Sequence, residues 1–267
     1  MYPDIPLAVR NMMSGNRMRH RHLYWHVFKD PRINTPAWAF WRDIRDRVVA
    51  VESSWQPSVM RGEEGHGIDF IGMHRIMIGH VNHMLAQEND DHWPEVVGWP
   101  TVPLPDNDDD WPVPQFDTGD SGDFGRIARE ALRDRADEMR ESSYIAANYA
   151  SFDAYAQDIE SNVHDPLHNI FSEPAPTNLF DSSVSNDYLG NPFSSHVNSY
   201  FWKLHGWVDN CVEAWEEATG QTVDLSSSWE APPANRTPLI FDVIAPDAAT
   251  ELKIAEALAL LDFGNGF

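Results

Sequence analysis

Two stretches decide how the chain reads: Glu160-Ser161-Asn162-Val163-His164-Asp165-Pro166-Leu167-His168-Asn169 and Phe201-Trp202-Lys203-Leu204-His205-Gly206-Trp207-Val208-Asp209. In the first, His164 and His168 are four residues apart, the spacing that puts two side chains on one face of an α-helix. Imidazole nitrogen is a ligand for transition metals, although such a pair also fits an exposed or helix-capping role. In the second, His205 sits among apolar residues with Asp209 one turn on. A carboxylate so placed either orients a metal-bound imidazole through its second nitrogen or anchors the helix nearby. Both stretches predict helix.

The rest of the chain extends that reading. The pattern predicts a helix over residues 7–29, stopped by Asp30-Pro31, and another from Pro36 to about Ser54 with Thr35 as its N-cap. Trp38, Trp41, Ile44, Val48 and Val51 recur at three- and four-residue steps and mark one buried face of that helix. A glycine-rich break at 62–67 precedes an apolar helix over about 68–87. Helices are also expected over 127–139, 145–169, 194–218 and 246–261, with a short strand-like run at 239–244. Residues 89–123 carry prolines and acidic runs, among them Asp106 to Asp110, and read as a long loop or lid. Their spacing misses the calcium-binding Asp-x-Asp-x-Asp-Gly loop, so a solvated acidic loop is preferred. The fold class expected is mainly α, with a metal-binding domain over 1–224 and a C-terminal extension over 225–267.

Composition sharpens where to look. The 267 residues carry a formal charge of −23, which argues against nucleic acid or an anionic membrane as a partner. No stretch is long and apolar enough to span a bilayer, and the N-terminus lacks the pattern of a signal peptide, so a cytoplasmic location is expected. One cysteine, Cys211, excludes an internal disulfide and any cysteine-rich metal site. Against three lysines (Lys29, Lys203 and Lys253) stand twelve histidines, and the chemistry is expected among them.

The second quoted stretch resembles the second copper-binding helix of the type 3 copper proteins: tyrosinases, catechol oxidases and hemocyanins. Their pattern is Phe-Trp-Leu-His-His-Ala-x-x-Asp followed by an aromatic-rich turn. Phe201, Trp202, His205, Asp209 and Trp215 fall in register, while the first histidine of the family's doublet is Leu204 here. The family's His-Asn-x-x-His is similar to His164-Asp165-Pro166-Leu167-His168. The resemblance therefore implies His164, His168 and His205 as ligands of the second copper. Phe70-Ile71-Gly72-Met73-His74-Arg75 is similar to the family's Phe-Leu-Pro-Trp-His-Arg, which implies His74 as a ligand of the first copper. His66, eight residues upstream, has the place of another. The remaining ligand is sought among His26, His22 and His20, with His80, His83 and His92 on the other side; His26 is preferred. His196 lies in an insertion before Phe201 and reads as a satisfied surface or core histidine.

The resemblance implies a tyrosinase-like four-helix bundle holding two copper ions, which use dioxygen to hydroxylate or oxidise a phenol, catechol or aminophenol. Asp165, aided by Glu160, takes the place of the base that assists phenol deprotonation, and Asn169 that of a substrate-orienting group. No cysteine lies near His66 to form the thioether of some relatives. An alternative is zinc, or a single metal, on the same fold doing non-redox chemistry, which an incomplete first site would favour. An oxygen carrier ranks last. The partners implied are dioxygen and a small aromatic substrate, and a homo-oligomer is compatible with the sequence. At the C-terminus, Phe263 or Phe267 has the place of a site-blocking aromatic residue, with simple packing preferred.

Overall fold

A computed structural model describes residues 4–51, 56–103, 122–170 and 175–225. The expected C-terminal extension beyond Leu225, with its strand, helix, Phe263 and Phe267, lies outside the described residues, as does the stretch 104–121 of the expected acidic loop. The described chain is mainly helical and contains no strand. None of its helices is long and apolar enough to cross a membrane.

Helices α1 (Leu7–Met13) and α2 (Asn16–Lys29) split the first expected helix at Ser14-Gly15. Asp30 stops α2 because a residue before proline is driven to extended backbone. Its carboxylate then accepts the Arg32 amide (2.8 Å) and caps a 3₁₀ turn, Pro31–Asn34. The next expected helix also begins differently. Thr35 precedes a 3₁₀ turn, Pro36–Trp38, and its hydroxyl donates backwards to the Arg32 carbonyl instead of capping. Helix α3 (Ala39–Val51) follows, and Trp38, Trp41, Ile44 and Val48 are buried as their spacing predicts.

Helix α4 (His66–Glu88) starts two residues earlier than the apolar pattern suggests. Gly65 precedes it at φ 92°, a left-handed conformation that favours glycine. The three amides of Gly65, Gly67 and Ile68 are taken up by the Asp153 carboxylate, at 2.9, 2.8 and 3.2 Å. Helix α5 (Gly122–Glu138) is longer than expected at its N-terminus.

The single helix expected over 145–169 is in fact four pieces: α6 (Ser142–Asn148), α7 (Phe152–Ile159), a π-helical turn Glu160–His164, and α8 (Asp165–Ile170). Tyr149 is extended, and Ser151 restarts the helix by accepting the Ala154 amide. The π turn precedes Pro166, whose ring nitrogen has no hydrogen to give an α-helical bond. Helix α9 (Ser199–Thr219) is capped by the Asn198 side chain and ends at Gly220, φ 70°; residues 195–197 before it form a 3₁₀ turn.

Two close crossings fix α4 and α9. A Cβ on Gly67 would lie 2.3 Å from the Asp153 carbonyl oxygen, so α4 and α7 meet backbone to backbone there. A Cβ on Gly206 would lie 2.4 Å from the Gly98 nitrogen, where residues 97–99 cross α9. The Trp99 amide and the Lys203 ammonium bridge the same crossing, to the Lys203 and Val97 carbonyls. Each of these glycines directly follows a histidine, His66 or His205. Phe70, Trp202, Phe201, Trp207, Val208 and Trp25 are buried between α2, α4 and α9, and this core surrounds the histidines.

Candidate metal centre

Five elements bring histidines to one place. Helix α2 supplies His22 and His26, α4 supplies His74, the π turn and α8 supply His164 and His168, and α9 supplies His205. Two groups have ring nitrogens all within 4.8 Å of one another: His22, His26 and His74, and His74, His164 and His205. His74 belongs to both. His168 adjoins the second group, its ring centroid 4.5 Å from that of His164 and 5.3 Å from that of His205.

The partners of the outer nitrogens fix the tautomers. Nδ1 of His74 meets the Phe70 carbonyl at 2.8 Å, and Nδ1 of His205 meets the Phe201 carbonyl at 2.7 Å. Nδ1 of His168 meets the Leu189 carbonyl at 2.9 Å, and Nδ1 of His164 meets Oδ1 of Asp165 at 2.9 Å. Carbonyl and carboxylate oxygens only accept, so each Nδ1 carries the proton and donates it. All four Nε2 atoms are then left with a lone pair.

Those lone pairs turn towards one another. Nε2 of His164 and Nε2 of His205 are 3.0 Å apart, with no proton left to join them. Nε2 of His22 and Nε2 of His26, whose tautomers no outer partner fixes, are 3.2 Å apart. Nε2 of His74 is buried and has no hydrogen-bond partner. Two imidazoles on one ion, each about 2.0–2.1 Å from it, stand roughly 3 Å apart. The donor set therefore fits a transition-metal cation, which would satisfy acceptors that nothing else in the described protein satisfies.

Burial keeps the rings neutral. It pushes His22, His26, His164 and His205 well below the usual histidine range, and neighbouring imidazoles push in the same direction. His74 is lowered to about 3, by burial first and then by His164. His168 is lowered by burial, against the opposing pull of the Leu189 carbonyl and Asp165. Neutral rings are the metal-binding form.

The other residues singled out from the sequence take different places. His66, expected beside His74 as a ligand, is in neither triad. It is the first residue of α4, and its Nε2 meets Oε2 of Glu160 at 2.5 Å. His22, weighed as an alternative to His26, is brought together with it by the i, i+4 spacing. Glu160 is buried behind the cluster, held by His66 and Arg61. Asp165, expected as a free base, is tied at both oxygens: one takes the His164 proton and the other takes Arg61. Asn169 lines a cavity of about 30 Å3 beside His22, His26, His164 and His168, bordered on the far side by Leu189, Pro192 and Ser195.

Asp209 accepts from the Arg75 guanidinium at 2.6 Å and so anchors α9 to α4, one residue beyond His74; it does not touch a histidine ring. His196 is a core histidine: it donates through Nε2 to the Met13 carbonyl, its Nδ1 is buried without a hydrogen-bond partner, and its ring lies 5.3 Å from that of His22. Cys211 is buried on α9, its thiol pushed up to about 12 by burial. Arg61 and the Leu189 carbonyl are not foreseeable from the sequence. Arg61 carries no spacing signal, and a backbone oxygen has no sequence signature at all. No protein-family model matches the chain, and no curated protein matches it.

Proposed function

We propose that this protein is a dicopper oxidoreductase, using dioxygen to hydroxylate or oxidise a small phenol, catechol or aminophenol. In this reading His22, His26 and His74 hold one ion, and His164, His168 and His205 hold the other. The observation that carries it is the gathering of six neutral imidazoles, in which the Nε2 lone pairs of His164 and His205 face each other without a proton between them. Copper bound there would supply one-electron chemistry towards dioxygen.

The chain's own residues do the rest. The aromatic core excludes water from the rings: Phe201 stacks on His205 with centroids 3.6 Å apart, and Trp25 lies edge-on to His74. The carbonyls of Phe70, Phe201 and Leu189 hold three rings in one tautomer. Asp165 holds His164 and is itself neutralised by Arg61, so its role is orientation and not proton abstraction. Asn169 lines the small cavity, in the place where the resemblance sets a substrate-orienting group.

A second reading rests on the double membership of His74. One zinc on His74, His164 and His205 would leave a position open for water, the arrangement of metal-assisted acid–base chemistry. Metal analysis separates the two. Two copper ions per chain after copper loading, with dioxygen consumed when a catechol is added, supports the dicopper reading. One tightly held zinc, no second equivalent and no dioxygen uptake would sink it.

A further inference from the structure

We propose that Arg61 is a positioning residue, which clamps Glu160 and Asp165, the carboxylates at the start of the π turn and just after its end, and through Asp165 fixes the ring of His164. The inference rests on His164 being a metal ligand. Glu160 and Asp165 are five residues apart. At about 100° per residue an α-helix would set them roughly 140° apart around its axis. The π turn changes this: the Asp165 amide bonds to the Glu160 carbonyl, five residues back, and both side chains come to one face. Arg61 lies opposite that face. Its Nη2 meets Oδ2 of Asp165, and its Nε is 3.8 Å from Oε1 of Glu160.

The other oxygen of each carboxylate is taken by a histidine: His66 for Glu160 and His164 for Asp165. A continuous polar chain therefore runs His66, Glu160, Arg61, Asp165, His164. Arg61 itself is fixed by its backbone, whose amide donates to the Lys29 carbonyl at 2.9 Å, at the end of the helix that carries His22 and His26. Without the guanidinium, two buried carboxylates would share one face with no cation between them. Asp165 would turn towards solvent and release Nδ1 of His164. The ring would then no longer be held with its proton on Nδ1 and its lone pair on Nε2. Arg61 suits substitution, because its side chain is 27% exposed and it is not among the buried core residues.

The test uses metal-free full-length protein with ¹⁵N-labelled histidine near neutral pH, where long-range proton–nitrogen spectra report the tautomer of each ring. In wild type, His74, His164 and His205 are expected as the Nδ1-protonated form. In Arg61→Met, His164 is expected to become a mixture of tautomers, while His74 and His205, held by carbonyls of their own helices, stay unchanged. Asp165→Asn should reproduce that mixture, and Arg61→Lys should restore the single form in part. His164 unchanged in Arg61→Met overturns the proposal, and so does an equal disturbance of all three rings, which would mark general structural support. With copper added, Arg61→Met should hold one equivalent roughly 10–100-fold more weakly than wild type; equal affinity counts against the proposal. Wild-type protein that takes up no copper would overturn the dicopper reading, and the tautomer spectra would still decide the role of Arg61.

Discussion

The two histidine groups are built to different standards. Every ring of the second, together with the shared His74, has its outer nitrogen tied to a fixed oxygen. In the first, Nδ1 of His22 is buried without a hydrogen-bond partner. The second group is thus pre-organised by hydrogen bonds, and the first is held by ring packing against His196 and Phe201. A ligand whose orientation is already fixed loses less freedom when it binds an ion. The second group should therefore be the tighter site, and this difference can be attacked directly.

The largest effect is expected from removing a ligand. His205→Ala and His164→Ala should each abolish the tight copper equivalent and leave the weak one, as read by equilibrium dialysis; an unchanged stoichiometry of two would refute the assignment. His22→Ala should remove the weak equivalent only. In wild type the two equivalents should differ by roughly 10–100-fold in affinity, the usual cost of a missing outer partner. A single shared affinity would erase the comparison.

The glycine crossings offer a finer cut. Gly206→Ala places a methyl against the Gly98 backbone and should destabilise the fold by about 1–3 kcal/mol. Because Gly206 follows His205 in the chain, the same change should also weaken the tight site. Gly67→Ala meets the Asp153 and Gln157 backbone and should cost a similar amount in thermal unfolding. Its neighbour His66 lies outside both triads, so copper uptake should be kept. If Gly67→Ala removes copper while Gly206→Ala does not, the placement of His66 relative to the metal ligands is wrong.

The smallest effect is that of acid. The folded ring of His196 is lowered to about 3 by burial, while the unfolded chain takes a proton near 6.5. Between those values the unfolded state binds more protons, so stability falls as pH drops from about 6.5 towards 3. The limit is about 1.4 kcal/mol per pH unit for each such ring. Urea midpoints of metal-free protein at neutral and mildly acidic pH should differ in that direction. His196→Phe should reduce the slope; an unaltered slope would mean that this ring does not carry it.

Much of the fold is legible where one local signal acts alone. The stop at Asp30-Pro31, the buried face of α3 and the i, i+4 pair His22 and His26 on α2 each arise from proline geometry or helical spacing. The misreadings fall where a partner distant in sequence decides. Helix α4 begins at His66 because Asp153 takes up its first amides. The helix expected over 145–169 breaks, and its π turn faces Arg61. The resemblance gives Asp165 the place of a base, yet one of its oxygens takes Arg61, 104 residues away.

By itself the sequence determined that the chain is mainly helical and that histidines sit at the right steps to share helix faces, because side-chain periodicity is a local property of the backbone. Only the tertiary structure decided which histidines meet. His22 joins His26 and His74, while His66 pairs with Glu160. A buried imidazole goes to whichever acceptor the packing of other helices brings within reach, and no spacing along one helix encodes that.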